Sequence, residues 1–377
     1  MKKLTANICR VIVGVLFIFS GMVKADDPIG FGYKLDEYWD AFHTQFLSPF
    51  SLLLASFMCI LEVSLGIALL LGFRMKLTSW LLLLLSLFFT FLTAFAAITG
   101  SPKECGCFGD AISLTAWQTF FKDVVLTGLV LVIFYLRDTI PSLFSNAFRN
   151  LLLTLGVLAV CAFTYYCYAH LPVWDFRAYK VGNNIELLRK PPAGAKADVF
   201  ETKFIYKDKH TGKVKEFTEA DYPWKDTLNW QYVDTKSVMV QKGDDAKITD
   251  LFIYDSNNRD VTDSLLLQPN FTFWVIMPDI NLTNKNAFTK LNDLVKACDK
   301  HHINLIGITS SDYNEYDTFR HNVNAAFPFY RSDNTVLRTM IRSNPGLMLM
   351  KAGVVMEIWH YNDIPTWDEV AKQFSIK

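Results

Sequence analysis

Three groups of residues in this chain have the types and spacing to do chemistry. The first is Cys105-Gly106-Cys107, followed by Phe108-Gly109-Asp110. Two thiols separated by one residue close a very small ring when oxidised, and a strained bridge is readily reduced and suited to exchange. Gly106 and Gly109 permit the tight backbone. Two other readings of the pair stay open: a structural bridge from either thiol to Cys167, or half of a metal site, although zinc is weakly supported by two cysteines with no histidine nearby. The second group is Glu62, a lone carboxylate midway through a long apolar run. At a bilayer centre an ionised carboxylate costs about 2.5–3.5 kcal/mol on insertion scales, so it must face inward, be protonated or find a partner. The candidates are Ser20, Lys24, Thr90 and Thr93. Glu62 then reads as a proton relay or a cofactor contact, or as hydrogen-bonding glue between helices. The third is Lys122-Asp123, near a helix end, where snorkelling and local pairing explain both charges.

The elements that must position these groups fall into two halves of different composition. The chain has 377 residues, is 51% hydrophobic and 20% charged, and has zero formal net charge. Residues 1–170 carry 21 of its Asp, Glu, Lys and Arg residues and residues 171–377 carry 53, which excludes one uniform soluble globule. A neutral balance without a long basic run gives no electrostatic footprint for nucleic acid. Five apolar stretches, 8–23, 51–73, 77–99, 117–136 and 150–169, predict helices that cross a lipid bilayer. The first also fits a signal peptide, with Val23-Lys24-Ala25 as a cleavage site. As a helix it ends at Lys24, which is expected to snorkel to the interface.

With the N-terminus in the cytoplasm, Lys2, Lys3, Arg10, Arg74, Lys76, Arg137 and Arg149 lie at the inner face, and only Lys24, Lys34 and Lys103 fall in outer loops. The fifth helix then leads outward, and everything beyond residue 170 is extracytoplasmic. Residues 36–46 of the first outer loop predict a short interfacial helix. No pair of broken helices speaks for a transporter.

In the outer half, residues 171–200 read as a linker, broken by Pro172, Gly182, Pro191, Pro192 and Gly194. Residues 201–269 read as a small β-rich module, with a hairpin from Phe204–Tyr206 to Val214–Phe217 and strands at Ser237–Gln241 and Leu251–Tyr254. From Asn270 the order is β-α-β-α-β-β-α: strands at Phe271–Met277, Ile303–Thr309, Leu347–Met350 and Val354–Trp359, and helices at Lys285–His301, Asp312–Val323 and Trp367–Gln373. Residues 270–377 thus form an α/β domain. The Phe271–Met277 strand, the Asn344-Pro345 step before a later strand and the Lys351-Ala352-Gly353 turn resemble a thioredoxin-like domain, in which the proline before the fourth strand is cis and faces the active site. The place of the Cys-x-x-Cys reads Met277-Pro278-Asp279-Ile280, so dithiol exchange by this domain is not expected. Cys298 lies on an apolar helix face and reads as a buried small hydrophobe.

Residues 1–140 resemble the DoxX and MauE-like families of four-helix membrane proteins. The resemblance rests on Phe19-Ser20-Gly21-Met22-Val23-Lys24, on Glu62 with Gly66 and Gly72, and on Cys105-Gly106-Cys107-Phe108-Gly109, which matches the MauE-like side. The fifth helix and outer half are similar to Bacteroidetes DoxX-type proteins with a thioredoxin-like C-terminus. The resemblance implies a bacterial inner membrane with a periplasmic C-terminal domain, and thiol oxidation coupled to a quinone. In that setting Cys105 and Cys107 exchange electrons with a periplasmic protein partner, Glu62 handles the proton, and Ser20 and Lys24 contact the quinone. The alternative is a non-catalytic membrane scaffold whose outer domain binds a periplasmic partner.

Overall fold

The computed structural model describes residues 2–102, 109–112, 114–192, 194–196, 199–218, 221–241, 243 and 246–376. Five of its helices are long and apolar enough to cross a membrane: α1 (Lys2–Asp26), α3 (Ser51–Leu71), α4 (Met75–Thr99), α5 (Ala116–Leu136) and α6 (Asn146–Ala169). All but α3 begin earlier than the purely apolar runs because polar residues at a helix end still complete turns of backbone hydrogen bonds.

Between α1 and α3 lies α2 (Pro28–Ala41), which starts before the expected 36–46 helix and ends within it. Its start is set locally: Asp27 accepts the Gly30 N–H at 2.8 Å, and Pro28 takes the first helical position, where its missing N–H costs nothing. Trp39 Nε1 donates to Ser51 Oγ at 2.9 Å, and that hydroxyl donates to Asp36, tying α2 to the start of α3.

α1 and α3 cross closely because glycines meet there. A Cβ at Gly66 would lie 2.8 Å from the Gly14 carbonyl oxygen, and one at Gly14 would lie 2.6 Å from Leu70. In a bilayer, where lipid is as apolar as leucine, such close approach supplies the packing that holds helices together. Val13 and Phe17 of α1, Leu65 and Leu69 of α3, Leu82 of α4, and Val130 and Ile133 of α5 form the bundle core. Near the start of α1, the buried Arg10 donates to the carbonyls of Leu69, Leu70 and Pro141, satisfying oxygens that the end of α3 leaves open. α6 buries only Val160, Thr164 and Cys167 among its described residues.

Residues 184–251 form a compact unit of their own. It holds the short helix α7 (Ile185–Leu188) and a three-stranded antiparallel sheet, ordered β2-β1-β3, from β1 (Val199–Asp208), β2 (Val214–Phe217) and β3 (Trp230–Gln241). Its bounds differ from the 201–269 read by composition. α7 lies in the stretch read as a linker. Leu251–Tyr254 forms no strand; Tyr254 makes only single bridges to Asp260 and Arg331.

The remaining elements are α8 (Thr262–Leu266), β4 (Thr272–Met277), α9 (Phe288–Lys300), β5 (Asn304–Thr309), α10 (Tyr313–Asn322), β6 (Phe329–Arg331), α11 (Asn334–Met340), β7 (Gly346–Lys351), β8 (Val354–His360) and α12 (Trp367–Phe374). The five-stranded sheet runs β6-β5-β4-β7-β8, parallel across β4, β5 and β6 and antiparallel across β7 and β8. Every residue of β4 is buried, as its continuous apolar run requires. Phe273, Val275 and Met277 face Leu291, Leu294, Val295 and Cys298 of α9. Cys298 is 1% exposed, and burial pushes its thiol up to about 12, so it behaves as a core residue. Ala352 and Gly353, both at positive φ, form the β7–β8 turn. β6 and α11 are additions to the expected element order.

Candidate functional site

The carboxylate that stood out in the sequence is the centre of a built site. Glu62 is the twelfth residue of α3, whose 21 residues hold no other charge. Lys24, near the end of α1, turns inward and places Nζ 2.6 Å from Glu62 Oε2. The two residues are 3% and 4% exposed. The expected snorkelling of Lys24 is therefore corrected: a carboxylate within reach inside the bundle competes better than the interface. Lys24 also donates to Ser20 Oγ at 3.1 Å and lies over the Phe89 ring, 4.6 Å from its centroid. Thr90 and Thr93, the other candidate partners, donate instead to carbonyls of their own helix.

Beside this pair is a cavity of about 20 Å³ lined by Ser20, Lys24, Glu62, Ser86, Lys122 and Asp123. That is room for about one water molecule. A quinone ring does not fit between Ser20 and Lys24, whose polar atoms are engaged with Glu62 and with each other. Asp123 pairs locally with Lys122, as expected, but its burial at the cavity was not read from the sequence. It is 4% exposed and bonds Lys122 at 2.8 Å, while its side chain borders the cavity. A signal was present: Thr119, Asp123 and Thr127 recur every fourth residue, all buried on one face of α5.

Cys105 and Cys107 lie outside the described residues. Gly109, two positions beyond Cys107 in sequence, borders Val23, Asp26 and Asp27 at the end of α1. Asp26, 1% exposed, accepts the N–H groups of Val173 and Trp174 at 2.9 and 3.2 Å, and Cys167 Sγ lies 3.8 Å from it. Cys167 is a free thiol, as are Cys9, Cys59, Cys161 and Cys298. An apolar groove of about 540 Å³ opens alongside, lined by Val15, Ile18, Phe19, Met22, Val23, Trp174 and Phe176.

The α/β domain is seated on this same end of the bundle. Asp27, besides capping α2, meets Arg342 Nε at 2.8 Å. The guanidiniums of Arg338 and Arg342 lie 4.6 and 5.7 Å from the centroid of the Tyr33 ring. Burial pushes the Tyr33 hydroxyl up from its ordinary range, against the opposing pull of the two arginines. Arg177 grips Asp175 through two nitrogens at 2.6 and 2.8 Å and donates to the Met340 carbonyl at 3.2 Å. Burial alone would raise Asp175, but its bonds to Arg177 outweigh that and hold it below the usual carboxylate range. At the end of α6, His170 bonds Asp363 at 2.8 Å, and Asn362 donates to the Ala169 carbonyl at 2.6 Å.

Two residues beyond Arg342, the Asn344-Pro345 peptide is cis. The Asn344 side chain donates to the Asp279 carbonyl at 2.6 Å and accepts from Thr283 Oγ1 at 2.7 Å. Asn344 is thus bonded by Asp279, within the Met277-Pro278-Asp279-Ile280 step, and by Thr283 and the Asn284 N–H just beyond it.

Comparison with known proteins bears on each part separately. Residues 2–136 match the family model described as Methylamine utilisation protein MauE. Residues 200–242 match a domain family of unknown function. No curated protein matches the chain. Among solved structures, the chain resembles the solution structure of a candidate protein disulfide isomerase from Bacteroides thetaiotaomicron at 14% identity, with 33% of this chain and 84% of the other covered and a TM-score of 0.26. The MauE match spans α1 to α5, the helices that build the Lys24–Glu62 site; the chain is thus a multi-pass membrane protein, similar to the MauE family over residues 2–136 and carrying an α/β domain.

Proposed function

We propose that this protein is a membrane thiol oxidoreductase in which Cys105 and Cys107 are the exchanging pair and Glu62 carries the proton. The observation that carries the reading is the placement of the buried Lys24–Glu62 pair. It sits in the MauE-like half, towards the end of the bundle at which the Cys-Gly-Cys segment joins α4 to α5. An ion pair withdrawn from water inside a bundle is costly, and such groups mark proton and ligand paths. In the exchange, the Cys105–Cys107 disulfide breaks as a disulfide forms in a dithiol partner, and the two electrons and two protons pass to Cys105 and Cys107. Reoxidation of the pair must shed both.

A quinone is the acceptor class that balances that loss, since it takes up two electrons and two protons together. Its place is the groove along α1, whose volume of about 540 Å³ is within the range of ligand pockets, and not the water-sized space between Ser20 and Lys24. Val23, Trp174 and Phe176 line both this groove and the polar cavity at Asp26, Asp27 and Gly109.

The proposal places the N-terminus in the cytoplasm and the α/β domain in the periplasm of a bacterial inner membrane. The basic residues Arg10, Arg74, Arg137 and Arg149 gather at the bundle end away from that domain, as inside-positive topology requires. The α/β domain is read as thioredoxin-like without a dithiol, holding a periplasmic thiol protein near the loop while Cys105 and Cys107 do the exchange. A second reading, a non-catalytic scaffold of the DoxX/MauE-like class, is favoured by one observation: the face beside the cis peptide is already bonded to the chain's own residues.

Thiol trapping with mass spectrometry in redox buffers separates the two. The expected result is a reversible Cys105–Cys107 couple at about −180 to −250 mV, retained in Cys167→Ser. A bridge to Cys167, or one that resists reduction below about −300 mV, overturns the oxidoreductase and leaves the scaffold.

A further inference from the structure

The Lys122–Asp123 pair has no part in the function above, yet it shares a wall with Glu62. Four helices meet at that wall: Ser20 and Lys24 from α1, Glu62 from α3, Ser86 and Phe89 from α4, and Lys122 and Asp123 from α5. Among the described residues, the charged groups that line this wall with Asp123 are Lys122 on its own helix, Lys24 on α1 and Glu62 on α3; α4 presents Ser86, Phe89 and Thr90, which carry no charge. The two ion pairs differ in one respect. Lys24 is buried, 2% of its side chain exposed, whereas Lys122 has 28% exposed.

That asymmetry decides where a proton can enter. Lys24 and Glu62 are both closed off from water, so a proton that reaches Glu62 has to come by way of the cavity. Protonating Asp123 leaves the excess charge on Lys122, whose long stem lets the ammonium extend toward water. The cavity between the carboxylates has about the volume of one water, the bridge a proton needs to pass from one to the other.

We propose that Asp123 is a second proton-carrying carboxylate of the intramembrane site, the entry and exit group through which protons reach Glu62 by a water in the shared cavity. One proton moves at a time: Asp123 takes it up, Lys122 swings outward, the proton crosses the water to Glu62, and Asp123 regains its charge and its partner. The inference rests on the thiol-oxidation reading only for the source and fate of that proton.

The test uses the full-length protein in lipid nanodiscs and dicyclohexylcarbodiimide, a lipid-soluble reagent that adds to protonated carboxyl groups. Sites of addition are mapped by mass spectrometry across a range of pH. The expected result is labelling at Asp123 that rises several-fold as pH falls, persists in Glu62→Gln, and does not occur with a water-soluble carbodiimide. Absence of label at Asp123 at every pH, in a sample where other carboxyls of the chain are labelled, overturns the proposal and makes the pair structural. The variant Lys122→Met/Asp123→Asn, which removes both charges together, reports on folding: thermal stability near that of the parent shows that the pair is not needed to hold α5. Labelling needs no cysteine, so it is expected unchanged in Cys105→Ser/Cys107→Ser. Label retained while the redox couple proves absent sinks the thiol reading alone.

Discussion

Removing the carboxylate of Glu62 takes from the Lys24 ammonium the oxygen it bonds at 2.6 Å and leaves that ammonium buried beside Phe89 and Ser20. Breaking one side of a buried pair costs about 3–5 kcal/mol, while replacing both sides with apolar groups of similar volume is near neutral. Glu62→Gln is therefore expected to lower the thermal unfolding temperature in detergent, and Lys24→Met/Glu62→Leu to recover most of it while abolishing any thiol turnover that depends on the proton. His360 in the α/β domain gives a pH signature. It is 2% exposed, and burial, with the nearby His170 adding to it and Asp363 opposing, pushes its pKa down to about 4. The unfolded chain binds that proton near pH 6.5, so between about 6.5 and about 4 the unfolded state holds more protons. The contribution to stability is complete above that window and is lost as pH falls through it, by up to about 3 kcal/mol. His360→Gln is expected to flatten this part of the curve of urea-induced unfolding against pH. At this scale the sequence was legible wherever a residue stood out from its surroundings. Glu62 did so in an otherwise uncharged helix, and Lys24 was among its candidate partners. Asp123 did not, because an adjacent lysine near a helix end already explains a carboxylate locally; only the packing of four helices shows which way it faces.

The α1–α3 crossing depends on side chains that are absent. A branched side chain at Gly66 would collide with Ile18 and with backbone of Gly14, so Gly66→Leu is expected to force the helices apart. Size-exclusion profiles and yield of folded protein check this, with Gly128→Ala as a control in open space, expected to be neutral. Elements long enough to express a period were legible from sequence, among them the five apolar helices, the hairpin of the small sheet and α9. Those missed are short or locally set. β6 has three residues and α11 seven, though Asp333, which accepts from the N–H groups of Thr335 and Val336, is a cap that could have announced α11. The start of α2 was likewise written in Asp27-Pro28, a cap followed by a proline, which hydrophobicity does not weigh. Leu251–Tyr254 is apolar throughout, as a buried strand is, but only Tyr254 finds partners, in single bridges, because pairing is a tertiary event.

At the scale of the molecule, the seat of the α/β domain on the bundle runs through Asp27–Arg342, Asp36–Arg338 and His170–Asp363. Arg342→Glu sets like charges together, and faster hydrogen exchange is expected in α2 and across 338–345. Asp27→Arg/Arg342→Asp is expected to restore only part of the protection, since arginine at position 27 cannot accept the Gly30 N–H that starts α2. None of these contacts was legible in sequence, because each joins residues far apart in the chain and no local pattern marks them.

The small sheet has a consequence of another kind. Its unit is closed at the base by the Ile248 N–H bonded to the Leu188 carbonyl at 3.0 Å, so the chain leaves almost where it enters. Such a loop can be cut out and its ends rejoined by a short turn. Residues 200–242 match a domain family of their own, separate from the one that matches the bundle, as a separable cassette would. A chain spliced from Arg189 to Ile248 through a few glycines and serines should still fold its helices and its larger sheet, leaving the cassette's own task open to assay by its absence.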